Sequence, residues 1–184
     1  MRCSGKKLPR KMKLQIADKS QIEQIFSLYK DVVEAVAKTS VRLGWNTDIY
    51  PSREWIEEEV SKNEMLVFCQ DEKILGVCSV NHSVNEEYKM VDWKVKEPEN
   101  KISTIHAFCV HPDFWGNGVS STFLNEVISY CKKNGDIANH LDVIDTNDKA
   151  VKLYLKAGFE QRDTIEMFYE SVGTRKFWMM EYLF

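Results

Sequence analysis

A short segment in the second half of the chain combines an apolar strand, two glycines and the start of an amphipathic helix. Residues 105–110 are followed by His111-Pro112 and then by Gly116-Asn117-Gly118, and helical periodicity begins at Val119. Free N–H groups in a first helical turn and the helix dipole attract anions, and glycine lets an oxygen approach the backbone closely. The segment predicts a phosphate-binding turn; a tight turn without a ligand is the alternative interpretation.

The same glycines nearly match the dinucleotide-binding pattern G-x-G-x-x-G, with Ser121 at the third position. That pattern belongs to a strand that opens a series of alternating strands and helices. Here it comes after more than half of the chain, and one further helix is predicted beyond the helix that it opens. We therefore reject a dinucleotide-binding fold.

A second segment of strand, cap and helix follows. Asn147, a strong N-cap residue, comes directly after the strand candidate at 141–144. The helix predicted after it carries Tyr154 on its apolar side and ends at Gly158, where Phe159 supplies the usual apolar contact.

The two segments read V-H-P-x-x-x-G-x-G and N-x-x-A-x-x-L-Y-x-x-x-G-F. Together, with one helix and one strand between them, they resemble the GNAT superfamily of N-acetyltransferases. The resemblance covers residues 103–159, and the order of elements outside that range also fits. It implies that acetyl-CoA is the co-substrate and that a primary amine attacks its thioester directly in a ternary complex.

The resemblance also implies how CoA is held. The backbone of 108–110 pairs with the pantetheine amides, the pyrophosphate lies over the N–H groups of 115–120, and two side chains of the last helix lie near the thioester. The expected CoA-binding residues are Phe108, Cys109, Val110, Trp115, Gly116, Asn117, Gly118, Val119, Ser120, Asn147 and Tyr154.

One position departs from the family pattern. The family usually has Gln or Arg three residues before the first glycine, where this chain has Asp113, and no Lys or Arg lies between Pro112 and Ser121. We therefore expect the pyrophosphate to be bound by backbone donors and the affinity for CoA to be weak.

Tyr154 and His106 are the expected catalytic residues. The family match places the Tyr154 hydroxyl by the sulfur, where a protonated phenol can protonate the departing thiolate; packing in the core is the alternative. His106 lies in H-A-F-C-V-H, which resembles the active-site strand of arylalkylamine N-acetyltransferases, and an imidazole can accept the amine proton. Strand alternation places His106 on the same side as Phe108.

Other assignments of the base remain open. His106 could instead be a hydrogen-bonded histidine that lines the sheet, and the base could be a water chain or a carboxylate. The acidic candidates, which the sequence does not distinguish, are Glu86, Glu87, Asp142 and Asp145. His111 is expected to belong to the turn beside Pro112.

Periodicity and capping residues predict the elements that position these groups. The predicted strands are residues 13–17, 65–70, 74–82, 88–95, 103–110, 139–145, 163–169 and 175–183, and the predicted helices begin after Asp18 and at Pro51 and span about 117–134 and 147–157. This order indicates an α+β fold with one mixed, mostly antiparallel sheet of about seven strands and about four helices. The resemblance implies a V-shaped splay between the fourth and fifth principal strands.

The length and composition of the chain favour one cytoplasmic domain. We expect residues 1–12 to be a disordered basic N-terminal extension and residues 13–184 to be the GNAT domain. A net charge of −3 argues against nucleic-acid binding, and five scattered cysteines suit reduced thiols. No apolar run reaches the roughly 20 residues that span a bilayer. The four histidines lack metal-ligand spacing, so neither a membrane nor a metal is expected.

The acceptor is expected to bind near the N-terminal helices and a middle strand. This region contains the aromatic and polar residues Trp45, Asn46, Asp48, Tyr50, Trp55, Tyr88 and Trp93. Such residues can hold a cationic or aromatic amine, so a small-molecule amine or amino acid is favoured. The alternatives are a protein lysine or N-terminus as acceptor, a non-catalytic acyl-CoA-binding sensor or interaction domain, and an unrelated α+β binding module. The closing strands could form a homodimer contact.

Overall fold

The computed structural model describes residues 11–170 and 173–184, and in these residues seven strands form a single mixed sheet. The strands are β1 (Met12–Ile16), β2 (Met65–Gln70), β3 (Lys73–Asn81), β4 (Ile102–Val110), β5 (Ala138–Ile144), β6 (Glu160–Tyr169) and β7 (Gly173–Leu183). Their order is β1-β2-β3-β4-β5-β7-β6, and all neighbouring strands are antiparallel except β4 and β5. The predicted α+β class is confirmed.

The α-helices of the described chain are α1 (Ile22–Ala37), α2 (Arg53–Ser61), α3 (Val119–Lys133) and α4 (Asp148–Ala157). The side chains of Ser52 and Asn147 accept hydrogen bonds from backbone N–H groups in the first turns of α2 and α4. Helices α1 and α2 pack on one face of the sheet, and α3 and α4 pack on the other. None of the described helices is long and apolar enough to cross a bilayer.

Phe123 of α3 is the centre of the core on the α3 face. It is fully buried, and its ring stacks on Phe68 and Phe108 with centroid distances of 5.3 and 4.6 Å. Gly76 of β3 permits this packing, because a Cβ at that position would lie 2.8 Å from the Phe123 ring. Burial of one such ring stabilises a fold by roughly 1.5–3 kcal/mol. The stack therefore holds α3, and with it the glycine turn, against the sheet.

The parallel strands β4 and β5 separate soon after they begin. They pair at Ile102 with Ala138, Ser103 with Asn139 and Thr104 with His140, and no further pair joins them. Beyond these pairs β4 stays attached to β3, and β5 stays attached to β7. The V-shaped splay between the fourth and fifth strands is therefore confirmed.

A bulge in β4 makes one sequence expectation wrong. Val77 pairs with Cys109 and Ser79 with His106, so two residues of β4, Ala107 and Phe108, lie opposite one residue of β3. Ala107 takes a positive φ of 48°, and its carbonyl accepts a hydrogen bond of 3.0 Å from the Tyr29 hydroxyl. The extra residue reverses the alternation. Phe108 therefore packs with α3, on the face opposite to His106, instead of on the same side.

The strand predicted at 88–95 is also wrong. Glu86–Met90 forms a 3-10 turn, and Tyr88, Val91 and Trp93 are buried in a loop that covers the end of β5 and β7. The Trp93 ring donates to the backbone carbonyl of Tyr88 over 2.8 Å. The alternation of apolar residues therefore reflects local packing of a loop, and the backbone N–H groups of Lys94 and Val95 find side-chain partners instead of the backbone of a neighbouring strand.

Those partners are the carboxylate oxygens of Glu181 in β7, which is 2% exposed. The backbone N–H groups of Lys94 and Val95 donate to it over 3.2 and 3.0 Å. Its other partners are the ring of His140 at 3.1 Å and the guanidinium of Arg162 at 3.5 Å. Because several donors converge on one buried carboxylate, Glu181 fixes the loop to the sheet. Residues 1–10 of the predicted N-terminal extension lie outside the described residues.

Replacement of Glu181 by alanine should lower the free energy of unfolding by about 3–5 kcal/mol, because three hydrogen-bonded groups and the guanidinium of Arg162 lose a common buried partner. Chemical denaturation measures the change. Glu160, the register partner of Glu181 on β6, is the matched control, since it pairs with Lys94 and Arg162 at the exposed surface. Glu160→Ala should have a much smaller effect. Equal effects of the two variants would contradict the assigned role of Glu181.

Candidate active site

A cavity of about 550 Å³ lies where β4 and β5 separate. Because of the bulge, residues from both faces of the sheet line it: His106 from the α2 face, and Phe108 and Tyr154 from the α3–α4 face. Other parts of its lining are Trp45, Tyr50, Trp55, Glu58, Glu59, Lys62, Asn81, Asp142, Asn147 and Tyr169. A space of this size suits a small ligand and part of a cofactor.

The predicted phosphate turn lies between β4 and α3, beside this cleft. Gly116 and Gly118 have φ angles of 79° and 76°, which favour glycine, and a Cβ at either position would meet no atom within 4 Å. Gly118 is the N-cap of α3, so the N–H groups of Val119, Ser120 and Ser121 have no carbonyl partner within the helix. The turn therefore presents uncovered donors at the positive end of a helix dipole.

Trp115 stabilises this turn from within. Its ring N–H donates to the backbone carbonyl of Val110 over 2.7 Å, and the side chain is 39% exposed. Asn117 is exposed, between the two glycines. The ring of Trp115 thus ties the end of β4 to the loop, while the exposed backbone of the turn stays accessible.

A lysine that the sequence argument did not consider lies next to Asp113. The Lys73 ammonium is 4.0 Å from the Asp113 carboxylate and 4.7 Å from the centre of the Phe114 ring. Lys73 is the first residue of β3, about forty residues earlier, so no local motif connects the two. The cation offsets part of the negative charge of Asp113 near the phosphate turn.

Tyr154 and Asn147 project from α4 toward the cleft. The Tyr154 ring contacts Phe108 edge-on, with 6.2 Å between centroids, and it also packs on Phe159. Burial raises the pKa of the Tyr154 phenol well above its ordinary value, so the hydroxyl stays protonated at neutral pH. The Asn147 carbonyl oxygen caps α4, which leaves its amide N–H₂ for a ligand.

His106 lies in a hydrogen-bonded chain of polar residues. Its Nε2 is 3.1 Å from the Asn81 side-chain oxygen, and the Asn81 amide nitrogen donates to Glu59 over 3.3 Å. Burial lowers the pKa of the His106 imidazole, while the charges of Asp142 and Glu59 act in the opposite direction. At neutral pH the ring is therefore uncharged and able to accept a proton.

The fold distinguishes the acidic residues that were candidates for the catalytic base. Asp142 lines the cavity and accepts a hydrogen bond of 2.6 Å from the Tyr88 hydroxyl. Burial raises the pKa of the Asp142 carboxyl. Glu86, Glu87 and Asp145 do not line the cavity, and Glu86 pairs with Lys89 at the surface. His111 is part of the turn, as expected, because its Nδ1 accepts the Asp113 N–H over 3.2 Å.

The aromatic residues predicted to bind the acceptor divide into two groups. Trp45, Tyr50 and Trp55 line the cavity and contact one another or Tyr29 edge-on. Tyr88 lies behind Asp142, and Trp93 stacks on His140 at 3.8 Å. Neither Asn46 nor Asp48 lines the cavity.

Several lining residues were missed by the sequence argument. Glu59 and Asn81 are buried polar residues on α2 and β3, and Tyr169 is at the end of β6. A polar residue on the core side of an amphipathic helix, such as Glu59, is the signal that could have indicated the first of them. In the described residues, no group of three or more His, Cys, Asp or Glu side chains could hold a metal ion.

Comparison with known proteins supports the sequence resemblance. A profile described as the acetyltransferase (GNAT) family matches residues 23–159, which is most of the chain. An N-acetyltransferase of Methanocaldococcus jannaschii, described as uncharacterized, is 31% identical over 98 residues; the match covers 53% of this chain and 43% of that protein. The chain thus matches less than half the length of that relative.

Solved structures with the same fold come from several organisms. A GNAT-family acetyltransferase of Streptococcus agalactiae has a TM-score of 0.78 at 19% identity, covering 94% of this chain and 95% of that one. The PaiA N-acetyltransferase of Thermoplasma acidophilum, solved with coenzyme A, gives 0.69 at 16% identity and coverage of 95% and 99%. Arabidopsis thaliana NAA60, solved with acetyl-CoA, gives 0.67 at 16% identity and coverage of 95% and 100%.

These likenesses show the fold, and the profile match shows the family. The strand splay, the uncovered helix N-terminus and the matched motifs at 103–159 lie within the part of the chain that the profile covers. This chain belongs to the GNAT family of acetyltransferases.

Proposed function

We propose that the protein transfers an acetyl group from acetyl-CoA to a primary amine of a small molecule in a ternary complex. One observation carries the proposal: the gap between β4 and β5 holds a cavity lined by Tyr154 and His106, and it opens toward the end of β4 that leads into the glycine turn and the uncovered N–H groups of α3. A cofactor can therefore enter along the strands with its phosphates at the helix and its thioester at the cavity. Bound acetyl-CoA supplies the thioester carbon that the amine attacks.

The residues expected to bind CoA suit different parts of it. The free edge of β4 at 108–110 offers backbone groups to the pantetheine amides in the manner of an added strand. The N–H groups of residues 115–120 offer donors to the pyrophosphate. Asn147 and Tyr154 lie at the cavity end. Backbone N–H groups at the end of the 108–110 strand can stabilise negative charge on the carbonyl oxygen.

Two side chains move the protons. The nitrogen that forms the amide bond must lose a proton, and His106, uncharged at neutral pH, accepts it. The sulfur that departs takes a proton from the Tyr154 hydroxyl. Solvent later accepts the proton held by His106 and returns one to Tyr154. The overall result is one amide, one free thiol and no net change in the protein.

The chemistry of the cavity favours a small cationic acceptor. Its lining contains three carboxylates, Glu58, Glu59 and Asp142, against the single ammonium of Lys62, which is 2.7 Å from Glu58. Aromatic rings of Trp45, Tyr50 and Trp55 form one wall. Negative charge and aromatic faces together attract an ammonium group, and the cavity volume suits a small molecule.

Replacement of Tyr154 by phenylalanine should lower kcat by about 10²–10³-fold with little change in the affinity for acetyl-CoA, because the variant keeps the ring and loses the proton donor. Release of free thiol from acetyl-CoA, screened with a panel of amines, measures the rate. Tyr182→Phe is the matched control, since Tyr182 packs on Phe159 and Phe184 and does not line the cavity. Equal rates for wild type and Tyr154→Phe would remove the acid assignment.

Replacement of Asp113 by glutamine should tighten CoA binding by about two- to fivefold at low salt, because it removes a negative charge beside the phosphate turn. Calorimetric titration with CoA at two salt concentrations measures this, and the gain should shrink at high salt. Asp92→Asn removes the same charge from an exposed residue paired with Lys96 and should change nothing. Weaker binding in Asp113→Gln would show that the carboxylate supports the turn instead.

The pH dependence should report His106. A base must be unprotonated, so the rate rises with pH through its pKa; burial lowers the pKa of His106 from its ordinary value of 6.5, which puts this limb below pH 6.5. His106→Ala should lose the limb and fall about 10²-fold in kcat at neutral pH. His82→Gln, which affects a histidine bonded to Asp136 away from the cavity, should keep it. A limb that persists in His106→Ala would assign the base elsewhere.

A further inference from the structure

We propose that Glu59 and Asn81 are positioning residues that fix the His106 ring with its hydrogen on Nε2, so that Nδ1 is the atom that accepts the amine proton. The inference rests on the proposed role of His106 as the base. It adds two residues, on α2 and β3, that the two sequence motifs do not contain.

The orientation of the Asn81 side chain is determined by two neighbours whose hydrogen-bonding roles cannot change. The backbone N–H of Ser83, which can only donate, is 3.0 Å from Oδ1 of Asn81. The Glu59 carboxylate, which can only accept when ionised, is 3.3 Å from Nδ2. A flipped amide would place two donors together at Ser83 and two acceptors together at Glu59. Oδ1 therefore faces Ser83, and Nδ2 faces Glu59.

This orientation determines the His106 tautomer. The atom 3.1 Å from His106 Nε2 is Oδ1, which has no hydrogen, so the imidazole must be the donor. A neutral imidazole has one N–H, and when that hydrogen is on Nε2 the lone pair is on Nδ1. The Asn81 oxygen thus keeps one defined nitrogen free to accept a proton.

Several polar groups surround the Glu59 carboxyl group and make contacts with it. Glu59 is 4% exposed; the Ser79 hydroxyl donates to the same oxygen that accepts from Asn81, and the Lys62 ammonium lies 3.9 Å from the other oxygen. Ser79 and Asn81 are themselves buried. In such a dry environment an unmatched donor or acceptor costs about 1–3 kcal/mol, so the network strongly favours one arrangement.

Charged and titratable groups face His106 from several elements. Those that line the same cavity are Tyr50, Glu58, Glu59, Lys62, Asp142, Tyr154 and Tyr169; Glu64 interacts with Glu59 and Asn81, and Tyr88 is bonded to Asp142. Burial is the dominant influence and lowers the pKa of His106, while Asp142, Glu59 and a hydrogen bond to the backbone of Ser83 raise the pKa. An added negative charge at position 81 should therefore raise the pKa of His106. Removal of the Asn81 side-chain amide should allow the His106 ring to take either tautomer.

Histidine ¹⁵N NMR tests the inference directly, without substrate. In the wild type above the His106 pKa, the Nε2 signal should be that of a protonated nitrogen and the Nδ1 signal that of an unprotonated one. In Asn81→Ala the two tautomers should mix. In Asn81→Asp, which preserves side-chain volume, the His106 pKa should rise by about one unit or more. His140, which is bonded to Glu181, is an internal reference and should not shift.

Kinetics supply the second readout. Asn81→Ala should lower kcat by at least about tenfold with an unchanged KM for acetyl-CoA, and it should cost nothing further in a His106→Ala background, because the two residues act as one unit. Asn81→Asp should move the acid limb of the pH profile upward together with the NMR pKa.

The outcomes separate the two proposals. An Nδ1–H tautomer in the wild type, or an unaltered tautomer in Asn81→Ala, overturns the positioning role whatever the activity. Additive losses in Asn81→Ala and His106→Ala also overturn it. Full activity of His106→Ala, together with the expected NMR spectra, overturns the proposed base and with it the catalytic part of this inference.

Discussion

Backbone hydrogen bonds hold β4 beside β5 only from Ile102 to Thr104, and the functional part of the molecule depends on the gap that opens beyond them. A buried strand edge whose N–H and C=O groups have no partner is costly, so the free half of β4 requires either water or a ligand along its side. The splay survives because each strand keeps its other neighbour: β3 supports β4 and β7 supports β5. The sheet can therefore open at one place without losing its continuity.

The two faces of the sheet contribute different groups of residues at this gap. On the α3 side, the aromatic stack of Phe68, Phe123 and Phe108 sets the position of the helix whose N-terminus offers donors to an anion. On the α2 side, hydrogen bonds connect the buried polar residues Glu59 and Asn81 to His106. Because of the bulge at Ala107, His106 faces the α2 side of the sheet and Phe108, two residues later, faces the α3 side. Tyr29 supports the bulge from α1.

Local signals predicted much of this arrangement. Asn147 was identified as a helix start because capping depends on the cap residue and the next few positions, and the span of α3 was predicted because helical periodicity is local. The strand predicted at 88–95 is a loop in the structure. Its alternating apolar residues pack locally, and the N–H groups of Lys94 and Val95 donate to the carboxylate of Glu181, about ninety residues later. Lys73, Glu59 and Asn81 join the site only through tertiary contacts. Phe108 lies on the face opposite to the predicted one because of one extra residue in β4, and the periodicity of the sequence does not reveal such a residue.

That extra residue makes the length of β4 as important as its composition. With the bulge, Phe108 stacks in the α3 core while Cys109 is buried under α1 and α2. If β4 paired regularly with β3 at the same length, without the bulge, its last part would shift by one position and each of these side chains would turn to the opposite layer. An aromatic ring would then replace a thiol beneath Tyr29, and Phe123 would lose a stacking partner. Homologous chains with this architecture should therefore either keep a bulge at this point or have one residue fewer between the histidine and the end of the strand.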